Sequence, residues 1–155
     1  MSVGFVMLAH AALNRAAHVA KVISDAGCPL VIHVDARVGP AFEMFKEKVE
    51  VLPGVSLSSR LECEWGTWAL VQASRDGVEA LLRDHPDLTH VYLISGSCLP
   101  IKPVSDLIAF LDDHKDTDFI ESVTIAEVPW TQGGLSDERF TLSFPFAWKK
   151  HRRLF

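Results

Sequence analysis

Three short polar stretches interrupt the apolar runs of this chain, and each carries groups able to hold a ligand. His10 closes the run Val3–Ala9 (VGFVMLA), Asp35 closes residues 29–34 (PLVIHV), and Ser95-Gly96-Ser97 closes residues 91–94 (VYLI). An aspartate so placed can accept hydrogen bonds from ribose hydroxyls or a base edge, and the amides of a Ser-Gly-Ser turn suit a diphosphate. Each also has a plain reading on its own. Asp35 would then be a helix cap, His10 a satisfied buried histidine, and the Ser-Gly-Ser turn an ordinary strand–helix connection. Taken together, three polar strand ends favour a nucleotide site.

Stronger phosphate or nucleophile motifs are missing. There is no GxGxxG, no GxxxxGK[ST] and no GxSxG run. Asp116-Thr117-Asp118 has the form of a DxD pair, which can hold a divalent cation against a sugar-nucleotide diphosphate. It precedes an apolar run, which puts it at the amino edge of a sheet, away from the other candidates. Residues 95–99, where such a pair belongs, contain no carboxylate. Asp116 and Asp118 therefore read as solvated helix-end residues, and neither a metal nor another cofactor is expected.

The elements that must position these groups alternate between two periods. Val3–Ala9 predicts a buried strand, and Leu13, Ala16, Ala17, Ala20 and Ile23 recur at helical spacing up to an Asp25-Ala26-Gly27 stop. Residues 29–34 predict a second strand, Phe42, Phe45 and Val49 a short helix after Pro40, and residues 51–58 a weak strand broken by Pro53-Gly54. A long helix is predicted over 66–83, with Leu70, Val71, Ser74, Val78, Leu81 and Leu82 on its inner face. Residues 91–94 predict a strand buried on both faces. Val104, Leu107, Ile108 and Leu111 predict a helix over 103–114, and residues 118–123 (DFIESV) a fifth strand. Alternating strands and helices imply right-handed crossovers, a mainly parallel sheet and helices on both faces. In such a sheet the first and fourth strands flank the point where strand order reverses, and ligands bind there, outside the carboxyl ends.

Composition narrows the class. At 155 residues, 48% hydrophobic and 23% charged, the chain suffices for one domain with a real core. Its formal charge of −5 argues against nucleic acid as a partner, despite the basic residues 149–153. Three cysteines without metal-ligand spacing suggest free thiols in a reducing compartment. With no signal-peptide layout and no run of transmembrane length, the expected location is cytoplasmic, with peripheral membrane contact left open. Residues 126–155 hold Trp130, Phe140, Phe144, Phe146, Trp148 and Phe155 without a period, as in a ligand-facing segment or a surface covered by more chain. The expectation is a nucleotide-sugar-binding α/β half over 1–125, an aromatic acceptor-side segment over 126–155, and truncation after Phe155. Homodimerisation through the exposed aromatics is the corresponding expectation for assembly.

The strand ending in His10, IHVD at 32–35, EWGTWALVQA at 64–73, YLISGSCLPIK at 92–102 and DFIES at 118–122 appear in order. Together they resemble the core-2/I-branching β-1,6-N-acetylglucosaminyltransferase family, which includes peptide xylosyltransferases. The resemblance implies a GT-A-like, Rossmann-like fold and an inverting, metal-independent transfer from a UDP-sugar, GlcNAc or xylose, to a glycan acceptor. By position, Asp35 falls on the aspartate near the donor uridine, and Trp65 and Gly66 on the turn beside the donor pocket. With His10, Ser95, Gly96 and Ser97 they make the implied donor site. Glu121 and Arg139 fall near acceptor-contacting residues, and Trp130 offers a stacking surface on the same side. Cys98 departs from the family, where many members carry Asp. The lack of a membrane anchor and of many cysteines points to a bacterial, cytoplasmic relative. The resemblance places the catalytic glutamate and the diphosphate-binding Arg/Lys after Phe155, so the 155-residue chain is expected to fold without catalysing transfer. The alternative is a non-catalytic nucleotide- or sugar-binding module.

Overall fold

Two runs dense in Val, Ile and Leu, with no polar alternation, set the centre of the sheet. In the computed structural model, which describes residues 3–64 and 66–120, they form β1 (Val3–Ala9) and β2 (Leu30–Val34), buried almost throughout. Flanked by β3 (Val55–Leu57) and β4 (His90–Ser95), they give the order β3-β2-β1-β4, with every pairing parallel. The crossovers are α1 (Leu13–Asp25), α2 (Ala41–Val49) and α3 (Trp68–Asp84), and α4 (Val104–Asp112) follows β4. The chain thus steps outward from β1 to β3 and returns to β1's other side, so strand order reverses between β1 and β4. This is the parallel α/β arrangement that the alternating periods predict, Rossmann-like and GT-A-like as the family resemblance implies.

Side-chain alternation assigns the layers. Val3, Phe5, Met7 and Ala9 of β1 and Leu30, Ile32 and Val34 of β2 pack with α1, α2 and α4. Val6 and Val31 point the other way, onto Leu81 and Val78 of α3. Gly27 (φ 75°) stops α1 as predicted: it takes a left-handed conformation, and its N–H reaches the Ser24 carbonyl at 2.8 Å. Residues 3–117 belong to one compact unit, and Asp118 opens a second. Among the described residues no helix is long and apolar enough to cross a membrane.

Three expectations change. The inner face of α3 is Ala73, Gly77 and Leu81, whereas Val71 and Leu82 are exposed. The reason is distance: a Cβ on Gly77 would lie 2.6 Å from Val6 Cγ1, so the helix comes too close for large residues. β4 is not buried on both faces, since Tyr92 and Leu93 are 45% and 53% exposed. Among the described residues it has a strand neighbour on one side only. Finally, residues 118–120 are not in a strand; the remainder of the predicted fifth strand lies outside the described residues.

Candidate functional site

The parallel registers bring the three polar strand ends to one level. Ala9 pairs with Val34 and Leu8 with Ser95, so His10 and Asp35 are level at the carboxyl edge, and Gly96 stands one position earlier, beside Ala9. Two hydrogen bonds continue the ladder there: Asp35 N–H to the Ala9 carbonyl and Gly96 N–H to the Leu8 carbonyl, both 2.9 Å. His10, Ser95 and Ser97 are exposed, and the Ser97 N–H donates to Ser95 Oγ at 3.2 Å. The juxtaposition predicted for the switch point is therefore present.

Gly96 has a packing reason to be glycine. It is buried, and a Cβ there would meet the Cβ atoms of Ala9 and Ala16 at 3.0 Å. Gly66, exposed in the loop before α3, has φ 77°, a conformation that favours glycine. Trp65, Glu121, Trp130 and Arg139 lie outside the described residues.

Asp35 is 2% exposed and its carboxylate is fully engaged. Oδ1 accepts from the Arg37 N–H at 2.8 Å and from Arg37 Nε at 2.9 Å. Oδ2 accepts from Arg37 Nη2 at 2.7 Å and from the Cys63 N–H at 3.1 Å. Arg37 Nη2 also donates to the Cys63 carbonyl. The bond from the Arg37 side chain is the main reason that Asp35 titrates well below the usual carboxylate range; burial opposes the shift, and the Arg37 and Cys63 amides add to it. The helix-cap reading of Asp35 holds as well, because the Arg37 amide opens the 3₁₀ turn Ala36–Val38.

Residues 58–63, which carry no regular structure beyond β3, lace across the end of β2. Ser58 N–H donates to the Ile32 carbonyl, and Ala36 N–H to the Leu61 carbonyl, each at 3.0 Å. Arg60 donates to the carbonyls of Val34, Asp35 and Ala36 at 3.3, 3.0 and 2.9 Å. Its guanidinium also stacks 4.0 Å over the Phe42 ring. On the α3 side, His33 is 2% exposed and its Nε2 accepts the Leu61 N–H at 3.0 Å. That bond requires the neutral ring with its proton on Nδ1. Burial lowers the His33 pKa, against the pull of Asp35 and Asp76 and with help from Arg60. The sequence reading missed His33, Arg37, Arg60 and Cys63. The short spacing of Asp35 and Arg37 was the one visible signal.

Two openings meet at His10. A cavity of about 40 Å³, room for about one water, is lined by His10, His33, Asp35 and Cys63 among others. The other is a groove of about 520 Å³ between the start of α1 and α2, lined by His10, Asn14, Arg37, Met44 and Lys48 among others. Across Gly96 a larger, mostly apolar groove of about 840 Å³ runs between β4 and α4, past Tyr92, Leu99 and Phe110. Polar groups able to hold a nucleotide are thus concentrated at the carboxyl ends of β1, β2 and β4.

A family model described as Core-2/I-Branching enzyme matches residues 3–140, a span that includes all four strands and every described candidate residue. No curated protein matches the chain.

Proposed function

The chain belongs to the Core-2/I-branching enzyme family, and from that premise we propose that it carries the donor-binding half of an inverting glycosyltransferase. The family gives glycosyltransferase activity in general, with a sugar-nucleotide donor and a glycan acceptor. Our reading assigns UDP as the nucleotide and GlcNAc, or else xylose, as the sugar. The observation that carries it is the alignment of His10, Asp35 and Ser95-Gly96-Ser97 on the sheet edge where strand order reverses. Ser95, Ser97 and His10 face solvent there and offer hydrogen bonds to a donor, and Trp65 and Gly66 are proposed to lie beside the donor pocket.

Inverting transfer needs a carboxylate to take the acceptor proton and positive groups to stabilise the departing nucleotide. Asp35 is unsuited to be that base, because it is buried, ionised and bonded to Arg37 and Cys63. We assign no base among the described residues. Glu121, Trp130 and Arg139 are proposed for the acceptor. Metal independence is part of the proposal, because residues 95–99 at the β4 end supply no carboxylate to hold a cation against a diphosphate.

Calorimetric titration of UDP in EDTA, then in manganese, tests the reading. Binding of UDP with equal affinity in both, weakened in a Ser95→Ala/Ser97→Ala variant, is the expected result. Strict manganese dependence would remove the metal claim, and absence of UDP binding would remove the donor claim.

A further inference from the structure

Two residues ahead of Trp65, the backbone of Cys63 is held at both of its polar groups. Its N–H donates to Asp35 Oδ2 at 3.1 Å, and its carbonyl accepts from Arg37 Nη2. Asp35 and Arg37 are joined to each other by two further side-chain bonds, so the three residues close one network. The charge of Arg37 is cancelled there by the ionised Asp35, and Glu62 acts on it as well. What the pair still supplies is direction, because a planar guanidinium forked onto a buried carboxylate has little freedom left.

The chain after Cys63 is closed by its own bonds. Thr67 returns both its N–H, at 3.2 Å, and its Oγ1, at 2.7 Å, to the Glu64 carbonyl. Gly66, with φ 77°, supplies a left-handed third position that suits such a turn. Cys63 Sγ donates to the Ala69 carbonyl at 3.6 Å, which brackets the turn from the side of α3. That helix is itself seated closely on β1, Gly77 against Val6. Residues 64–67 are therefore fixed at one end by α3 and at the other by Asp35 and Arg37. The base of the turn reaches the donor edge, since Cys63 and Leu70 line the small cavity that His10, His33 and Asp35 also line.

We propose that Asp35 and Arg37 act as a clip for the donor site, holding Cys63 so that the turn over residues 64–67 keeps its place beside the His10 end of the sheet. Both are then positioning residues, and neither offers its charge to the ligand. The proposal rests on the donor reading above, in which that turn borders the donor pocket.

Calorimetric titration of the full chain with UDP, paired with amide hydrogen exchange, tests it. Arg37→Gln should weaken UDP by about tenfold, as when one charge-assisted hydrogen bond is lost. Arg37→Lys should weaken it as much, because an ammonium keeps the charge but cannot bridge Asp35 and Cys63 in one plane. Wild-type affinity in Arg37→Lys would make the charge itself the requirement and overturn the clip. Gly66→Ala strains the turn directly, with open space around its new Cβ, and should also weaken UDP. Combined with Arg37→Gln it should add little further loss, whereas Ser95→Ala should add its full effect. Additive losses from Arg37→Gln and Gly66→Ala would overturn the route through the turn. Exchange of the Thr67 amide should quicken in Arg37→Gln while the β1 amides stay protected, which also shows that the variant is folded. Unchanged Thr67 exchange would overturn the clip whatever UDP does. UDP affinity unchanged in both Arg37 variants would overturn the positioning role and spare the donor reading. Absence of UDP binding to the wild-type chain would overturn the donor reading and the clip's part in it, and Thr67 exchange would still decide whether the pair holds the turn.

Discussion

Asp35 and Arg37 form a two-pronged pair across only two residues of chain, Nε to Oδ1 at 2.9 Å and Nη2 to Oδ2 at 2.7 Å. One partner is 2% exposed and the other half-exposed. The pair joins a buried strand end to an open groove, and Cys63 ties residues 58–63 to the same carboxylate. A surface ion pair would contribute little; this one is anchored on a desolvated carboxylate with four donors.

Stability in acid follows from that pair. The folded-state pKa of Asp35 lies below its unfolded value of about 3.9, so its contribution is complete above that value and is lost as pH falls toward the folded pKa. Asp35→Asn should destabilise the protein by about 2–3 kcal/mol at pH 7 and flatten the decline below about pH 4. Chemical denaturation at pH 7 and pH 3 checks both; an unchanged acid slope would refute the assignment.

His33 acts in a higher window and in the same direction. Its folded pKa is lowered by burial, so the unfolded chain takes up a proton first, near its ordinary value of about 6.5. Stability should be complete above about pH 7 and should decline as pH falls from there to 5. His33→Leu should remove this decline and, by leaving the Leu61 N–H without its acceptor, cost about 1–3 kcal/mol at pH 7.5. Melting temperatures across pH 5–8 for both proteins decide it.

Gly77→Ala sets two effects against each other. Replacing a helix-interior glycine gains about 1 kcal/mol of propensity. The new Cβ would lie 2.6 Å from Cγ1 of the fully buried Val6, an overpacking that costs about 1–3 kcal/mol. A net loss is expected, reduced when Gly77→Ala is combined with Val6→Ala. Strict additivity in that double-mutant cycle would show that the contact is not the cause.

For the acceptor side, Glu121→Gln in an active enzyme should raise the acceptor KM far more than the donor KM, the pattern of lost acceptor binding. Equal effects on both would remove Glu121 from that role.

The sequence by itself determined the run of elements from β1 to α4 and the level of His10, Asp35 and Ser95-Gly96-Ser97. Continuous apolar runs mark strands covered on both faces, helical spacing marks the crossovers, and crossover handedness leaves few strand orders. It also carried the family, through IHVD, the Trp-Gly turn and the Ser-Gly-Ser loop.

What a periodicity cannot report is which neighbour an element meets, and how closely. Leu81 and Val78 do lie on the predicted inner face of α3, but Val71 and Leu82 do not, because the contact with Val6 of β1 is tight enough to demand Gly77. β4 reads as doubly buried because its residues are apolar, yet burial depends on a neighbour supplied from elsewhere in the chain. The same limit explains the site. Asp35 meets Cys63, and His33 meets Leu61, across 28 residues each. Nothing local in residues 58–63 says that they will lace over the end of β2. Only the folded chain decided that Asp35, legible as a ligand-binding carboxylate, is buried and bonded, and that Arg37, its partner, borders the groove.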